Sequence, residues 1–179
     1  MYSKHINFMQ LALEQAFKAQ KHNEVPIGAI LIDKSGDIIS FGYNQTISLN
    51  DPTAHAEILS LRGACEKIKN YRLLDTTLYV TIEPCIMCMG AIIHARVKRV
   101  VFGAFDPKWG GAGSLYDLSN DARLNHAPEI INGVCKKECS DLIKNFFKIK
   151  RKTKKELFFY LKGEEQRAEH CSSRNPVGR

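Results

Sequence analysis

The strongest constraint on how this chain folds is a pair of short segments, His55-Ala56-Glu57 and Pro84-Cys85-Ile86-Met87-Cys88. One histidine nitrogen and two thiolates are three of the four donors of a tetrahedral zinc. To share an ion, two segments far apart in sequence must meet at one point. The patterns around them suit that. Apolar side chains recur at helical spacing over residues 54–68 (Ile58, Leu59, Leu61, Ala64, Cys65, Ile68), which places His55 at a helix start. Pro84 follows a β-rich run and precedes a second helical stretch, residues 86–94. Cys85 and Cys88 therefore fall in its first turn, three apart on about one face. The exposed N–H groups and positive end of such a helix favour thiolate over thiol.

The flanking sequence alternates between the two periods. Ile6, Met9, Leu13, Ala16 and Phe17 predict an amphipathic helix over residues 3–22. Pro26 opens a buried strand over 27–32, Lys34-Ser35-Gly36-Asp37 is a turn signal, and 38–44 returns as the second strand of a hairpin. Further strands are predicted at 77–82, 99–102 and 129–134, a glycine-rich loop at 106–114, and a closing helix from 136 to about 154. Alternating strands and helices imply an α/β layered domain around one sheet.

With 179 residues, 44% hydrophobic and 25% charged, the chain has the balance of one folded domain rather than a disordered segment. Its apolar runs fall far short of the ~20 residues of a membrane-spanning helix. The N-terminal stretch lacks a secretory pattern, so the expected location is cytoplasmic, with no membrane partner. In that compartment six cysteines argue for metal ligands, a nucleophile or buried thiols rather than a disulfide framework. The net charge of +7 is uneven: residues 1–144 carry 16 basic against 15 acidic side chains, residues 145–179 carry 10 against 4. Six of those ten lie between Lys148 and Lys155. Such an end either meets a polyanion or is a solvated helix terminus whose cations suit the helix dipole.

A structural zinc is closed by four protein ligands, whereas a catalytic one keeps a position for water. Cys65, His94 and His126 are available as fourth ligands, but none completes the paired spacing of a common zinc finger. Glu57 favours the catalytic reading. Two residues beyond His55, it is placed to reach a zinc-activated water without ligating, and to accept and redeliver a proton. Hydrolysis at an electrophilic carbon follows.

In this order and context, the motifs resemble those of the zinc-dependent nucleobase deaminases of the cytidine-deaminase-like superfamily. Within it the chain is most similar to the bacterial tRNA-specific adenosine deaminases, over about residues 4–152. Further blocks carry that resemblance: Glu24-Val-Pro-Ile-Gly-Ala29, Asp51-Pro-Thr-Ala-His-Ala-Glu57, Asn70-Tyr-Arg-Leu73, Thr77-Leu-Tyr-Val-Thr81, Val100-Val-Phe-Gly-Ala104, Asn125-His126 and Phe146-Phe-Lys-Ile-Lys-Arg151. It implies a three-layer α/β/α domain around a mixed five-stranded sheet, spanning residues 1–152; the segment from Thr153 onward has no counterpart in it, and from its polar composition 153–179 reads as a partly disordered extension. The resemblance implies one zinc per subunit on His55, Cys85 and Cys88, with Glu57 moving protons while zinc hydroxide attacks C6 of a wobble adenosine. Ammonia leaves and inosine remains. Asn44 and the backbone at Ala56 would hold the base, Asp106, Lys108 and Asn125 the neighbouring anticodon nucleotides, and Phe146, Phe147 and Arg151 the RNA loop. The implied partners are the anticodon stem-loop of a tRNA, an arginine tRNA first, and a second copy of the chain.

Two other functions stay open on sequence alone: a deaminase of free cytosine, guanine or a nucleoside, and a non-catalytic zinc-stabilised RNA-binding module. Other residues have plainer expectations. Cys65, Cys135 and Cys139 read as core thiols. His94 reads as a helix-end residue, and His126 as either an RNA contact or a local cap. Glu83 reads as support for the metal site or a surface carboxylate. Trp109 reads as loop packing in preference to base stacking. Leu157-Phe-Phe-Tyr-Leu161 reads as a packing segment, and residues 163–179 as a disordered tail with Cys171 exposed.

Overall fold

The computed structural model describes residues 2–172, with side chains for residues 3–156. It divides into two compact units, Met1–Ile143 and Lys144–Arg179.

In the first unit the order is α1 (Tyr2–Lys21), β1 (Gly28–Ile32), β2 (Ile38–Tyr43), α2 (Ala56–Ile68), β3 (Thr77–Ile82), α3 (Ile86–His94), β4 (Arg99–Ala104), a 3₁₀ turn (Leu118–Asn120) and β5 (Glu129–Asn132), followed by the start of α4 (Lys136–Ser172). One five-stranded sheet runs in the order β2-β1-β3-β4-β5. β1 is antiparallel to both β2 and β3, whereas β3–β4 and β4–β5 are parallel, so the sheet is mixed as expected.

Strand alternation sends successive side chains to opposite faces, and each face has its own core. Ala29, Leu31, Leu78, Val80, Val100 and Phe102 meet Leu61 and Ala64 of α2 and Met89 and Ile92 of α3. Ile30, Ile32, Tyr79 and Val101 meet Met9, Ala12, Leu13 and Ala16 of α1 and Cys139 and Leu142 of α4. Helices thus cover both faces and form the three layers. Parallel β3 and β4 put the connection from β3 into α3 at one end of the sheet, where Cys85 lies.

The predicted elements are present, with differences at their ends. β4 runs two residues past Phe102 because Ala104 still pairs with Ile82. β5 stops at Asn132, before the left-handed Gly133. The short 3₁₀ turn at 118–120 has no periodic signal to announce it. α4 continues to Ser172, well past the expected end near Lys154. That stretch has one glycine and no proline before Pro176, and an i,i+4 ion pair, Lys152–Glu156, supports it. The expected disorder at 163–179 is therefore not found over 163–172, where the backbone is helical. Residues 173–179, and the side chains of 157–161 and Cys171, lie outside the described residues.

In the second unit, Phe146 and Phe147 meet edge to face with centroids 5.4 Å apart, and the Lys150 ammonium sits 5.5 Å from the Phe146 ring. Among the described residues, no helix is long and apolar enough to cross a membrane.

Candidate active site

His55 and Cys85 occupy equivalent places, the N-cap residues of α2 and α3. An N-cap side chain ordinarily accepts a hydrogen bond from the first turn. Neither does so here; both residues have extended backbone and turn their side chains toward each other. His55 Nδ1 lies 3.7 Å from Cys85 Sγ and 3.5 Å from Cys88 Sγ. Zinc–nitrogen bonds of about 2.05 Å and zinc–sulfur bonds of about 2.3 Å at a tetrahedral angle place N and S roughly 3.6 Å apart. The three donors are therefore already at chelating separation, all within 4.8 Å of one another, and fit zinc in chemistry and spacing.

Among the described residues no further His, Cys, Asp or Glu joins this cluster. The candidate fourth ligands are engaged elsewhere or stay outside. Cys65 Sγ lies 3.7 Å from the Tyr71 carbonyl, His126 Nε2 lies 2.7 Å from the Val97 carbonyl, and His94 is exposed. His126 is thus tied to local structure. Three protein donors leave one coordination position open.

Without metal the two thiols share a single charge. The hydrogen bond from Cys88 is the main influence bringing Cys85 down to about 4; His55 assists, and burial opposes. That same bond, together with burial, pushes Cys88 up. His55 is raised, chiefly by its bond with Cys85. Glu57, the second residue of α2, is 2% exposed. Burial dominates there and lifts its carboxyl to about 7, against the opposing pull of its own backbone N–H and of His55. A carboxyl poised near neutrality suits proton transfer.

Two buried side-chain atoms lack a hydrogen-bond partner among the described residues, Asn44 Oδ1 and Glu57 Oε2. Buried polar atoms are nearly always paired, so an orphan marks a place for something else to bind. Asn44 is held at both ends. Its backbone N–H donates to Ile27 and its Nδ2 to Thr46 Oγ1 at 3.4 Å. Gly42, two residues earlier, sits against the backbone of Ala56, where a methyl group would collide with the Ala56 carbonyl. That close approach seats β2 on the α2 turn bearing His55 and Glu57.

Behind Asn44 lies a carboxylate absent from the sequence-based site. Glu24 is wholly buried and accepts from the backbone of Ile47 (2.9 Å) and Ser48 (2.7 Å) and from the hydroxyls of Ser48 (2.8 Å) and Thr46 (3.2 Å). Burial pushes its pKa up, but these donors outweigh burial and hold it below the usual glutamate value.

Glu83 is neither a surface carboxylate nor a partner of the ligands. It is 1% exposed and accepts from the backbone of Asp106 (3.1 Å), Ala112 (3.0 Å) and Ser114 (2.9 Å) and from the Ser114 hydroxyl. The glycine-rich loop is folded around it. Gly111 N–H donates to the Pro84 carbonyl at 2.8 Å and Gly110 bridges to Cys85, so the loop is joined directly to the metal-binding segment. No repeat or spacing signals this role; an acidic residue at a strand end looks like surface.

The other expected residues are scattered over the first unit or lie in the second. Asp106 Oδ1 caps its own turn, accepting from the backbone of Lys108 (2.9 Å) and Trp109 (3.3 Å). Lys108 is exposed. Asn125 accepts from Arg96 through both its carbonyl (2.9 Å) and Oδ1 (2.7 Å). Trp109 does not pack, since it is 66% exposed. Ala56 is buried at the α2 start, and Cys135 and Cys139 pack in the α1-side core, as expected of inert thiols. Phe146, Phe147 and Arg151 belong to the second unit.

Three donors, an open position and an adjacent buried carboxyl define a hydrolytic zinc centre rather than a structural one. The comparisons agree. The family model described as the cytidine and deoxycytidylate deaminase zinc-binding region matches residues 2–104. The tRNA-specific adenosine deaminase of Haemophilus influenzae is 50% identical over 147 residues, covering 82% of this chain and 85% of that protein. That of Bacillus subtilis is 45% identical over 148 residues, covering 83% and 91%. A solved structure from studies of A-to-I editing by tRNA:A34 deaminases at the wobble position of transfer RNA is 43% identical. Its TM-score is 0.74, and the match covers 76% of this chain and 98% of that one. The chain belongs to the zinc-binding cytidine and deoxycytidylate deaminase family and, within it, groups with the bacterial tRNA-specific adenosine deaminases.

Proposed function

We propose that this protein is a cytoplasmic tRNA adenosine deaminase that converts the wobble adenosine of an anticodon to inosine, taking up water and releasing ammonia. The observation that carries this reading is the pair of orphaned buried oxygens, Glu57 Oε2 and Asn44 Oδ1. They belong to the two residues expected for proton transfer and for holding the base. Zinc, when bound by His55, Cys85 and Cys88, supplies the Lewis acidity that makes water nucleophilic near neutral pH. Glu57 carries the two protons of this water in turn, accepting each and passing one to the purine ring nitrogen and the other to the departing amino group, which leaves as ammonia. Asn44 Oδ1 accepts a hydrogen bond from the base, and the Ala56 backbone helps to orient it.

The substrate reading extends to the anticodon loop, an arginine tRNA first, with Asp106, Lys108 and Asn125 at neighbouring nucleotides and Phe146, Phe147 and Arg151 at the loop. Half-exposed Phe147 and exposed Lys148, Lys150 and Arg151 are the residue types that stack on bases and pair with phosphates. The functional unit is a homodimer whose RNA groove draws on both subunits.

One assay tests the proposal. The purified zinc-loaded protein is incubated separately with an arginine tRNA bearing adenosine at the wobble position and with free cytosine, guanine and adenosine, and inosine and ammonia are measured. Inosine in the tRNA is expected. Conversion of a free base with the tRNA unchanged assigns the small-molecule alternative.

A further inference from the structure

Trp109 is the only tryptophan of the chain and its most exposed large apolar side chain among the described residues. Tryptophan buries more surface than other side chains when it packs, and leaving an indole in water forfeits that gain. Here the exposure is built in. Asp106 Oδ1 accepts from the Trp109 backbone, Gly110 N–H donates to the Asp106 carbonyl at 2.9 Å, and the loop on either side is pinned to buried Glu83. Gly110 has no room for a side chain, since a methyl there would strike the Glu83 carboxylate, so the turn that presents Trp109 is closely fixed. Among the described residues, the indole has no ring, cation or hydrogen-bond partner.

Its position gives the exposure a use. The next residue, Gly110, bridges to the metal ligand Cys85, so the backbone that carries the indole is paired with the metal-binding segment. Lys108 is exposed beside it. On the same loop, half-exposed Phe105 already carries the Lys136 ammonium 5.4 Å from its ring. An exposed aromatic face on a fixed turn, with cations nearby on or against the same loop, fits an unpaired nucleobase on a phosphate backbone, because every base offers a π-face whatever its sequence.

We propose that Trp109 is a stacking platform for an unpaired RNA base next to the one that reacts. This rests on the reading of the substrate as RNA. It adds a contact that fixes how the strand lies across the site, and so sets which neighbouring bases are accepted.

The sole indole is its own reporter. The zinc-loaded full chain is titrated with an anticodon stem-loop RNA while tryptophan emission is followed, with binding measured independently by anisotropy of labelled RNA. Saturable quenching that tracks binding is expected. Trp109→Ala should raise KM for the stem-loop about tenfold, with kcat changed far less, and Trp109→Phe should recover most of the loss. Binding without quenching, or an unchanged KM in Trp109→Ala, overturns the platform. If RNA binds and quenches but no inosine forms, stacking stands and the deaminase reading falls. If inosine forms without quenching, the reverse holds.

Discussion

Glu83 Oε2 accepts the backbone N–H of Asp106 at 3.1 Å, and Glu83 Oε1 accepts those of Ala112 and Ser114 at 3.0 and 2.9 Å. One carboxylate thus closes a loop of nine residues from beneath, one position before the Pro84-Cys85 segment. In Glu83→Gln, whichever way the amide turns, its NH₂ faces a backbone N–H, leaving unpaired donors in a buried site. The expected cost is about 1–3 kcal/mol. Amide hydrogen exchange should quicken at Asp106, or at Ala112 and Ser114, while one zinc per chain is retained. Unchanged exchange at all three positions would show that other contacts hold the loop.

The separation of ligands from proton carrier is directly measurable. Cys88→Ala removes one of three donors and should abolish both zinc content and activity. Glu57→Gln keeps the side-chain volume and lies outside the donor cluster, so zinc should stay bound. Its turnover should fall by roughly 10²–10⁴-fold, the range ascribed to a positioned acid–base group. Metal analysis beside inosine formation distinguishes the two; loss of zinc in Glu57→Gln would make Glu57 a ligand.

Gly42→Ala tests whether the packing of β2 on α2 sets the site. A methyl group there meets the Ala56 carbonyl, so strand and helix must separate. Overpacking of this kind costs about 1–3 kcal/mol. Because Ala56 lies between His55 and Glu57, the displacement should also weaken zinc affinity, which distant destabilising changes such as Leu142→Ala should not do. Equal zinc affinity in both variants would uncouple the contact from the site.

The sequence revealed what periodicity and ligand chemistry can encode. Residues 86–94 read as a helix because Pro84 marks its start and apolar side chains fill it, and α3 has those bounds. His55, Cys85 and Cys88 were legible because few other arrangements explain that donor set at two helix starts. Glu24 and Glu83 are not legible as buried carboxylates, since each derives its role from N–H groups of loops about 20 to 30 residues away and no local pattern records that. Trp109 is the reverse case: its type predicts burial, and only the folded loop shows it exposed. The end of α4 is not legible because nothing before Pro176 punctuates it strongly.

Glu24 links the site to acid stability. Its folded pKa lies below its ordinary value of 4.5, so the carboxylate is favoured in the folded state. The stabilisation from that preference is complete well above 4.5 and is lost as pH falls from there through the lower folded value. Protonation converts an acceptor of the Ile47, Ser48 and Thr46 hydrogen bonds into a partial donor and loosens the residue 46–48 turn. Thr46 is what holds Asn44 Nδ2, so Asn44 should lose its orientation over the same interval. Glu24→Gln should carry that loss at every pH. The wild type should lose thermal stability relative to this variant as pH drops from about 5 toward 3, and the difference between them should narrow. Thermal unfolding of both proteins across that range reads the convergence directly, and parallel curves would show that Glu24 does not contribute to the acid sensitivity.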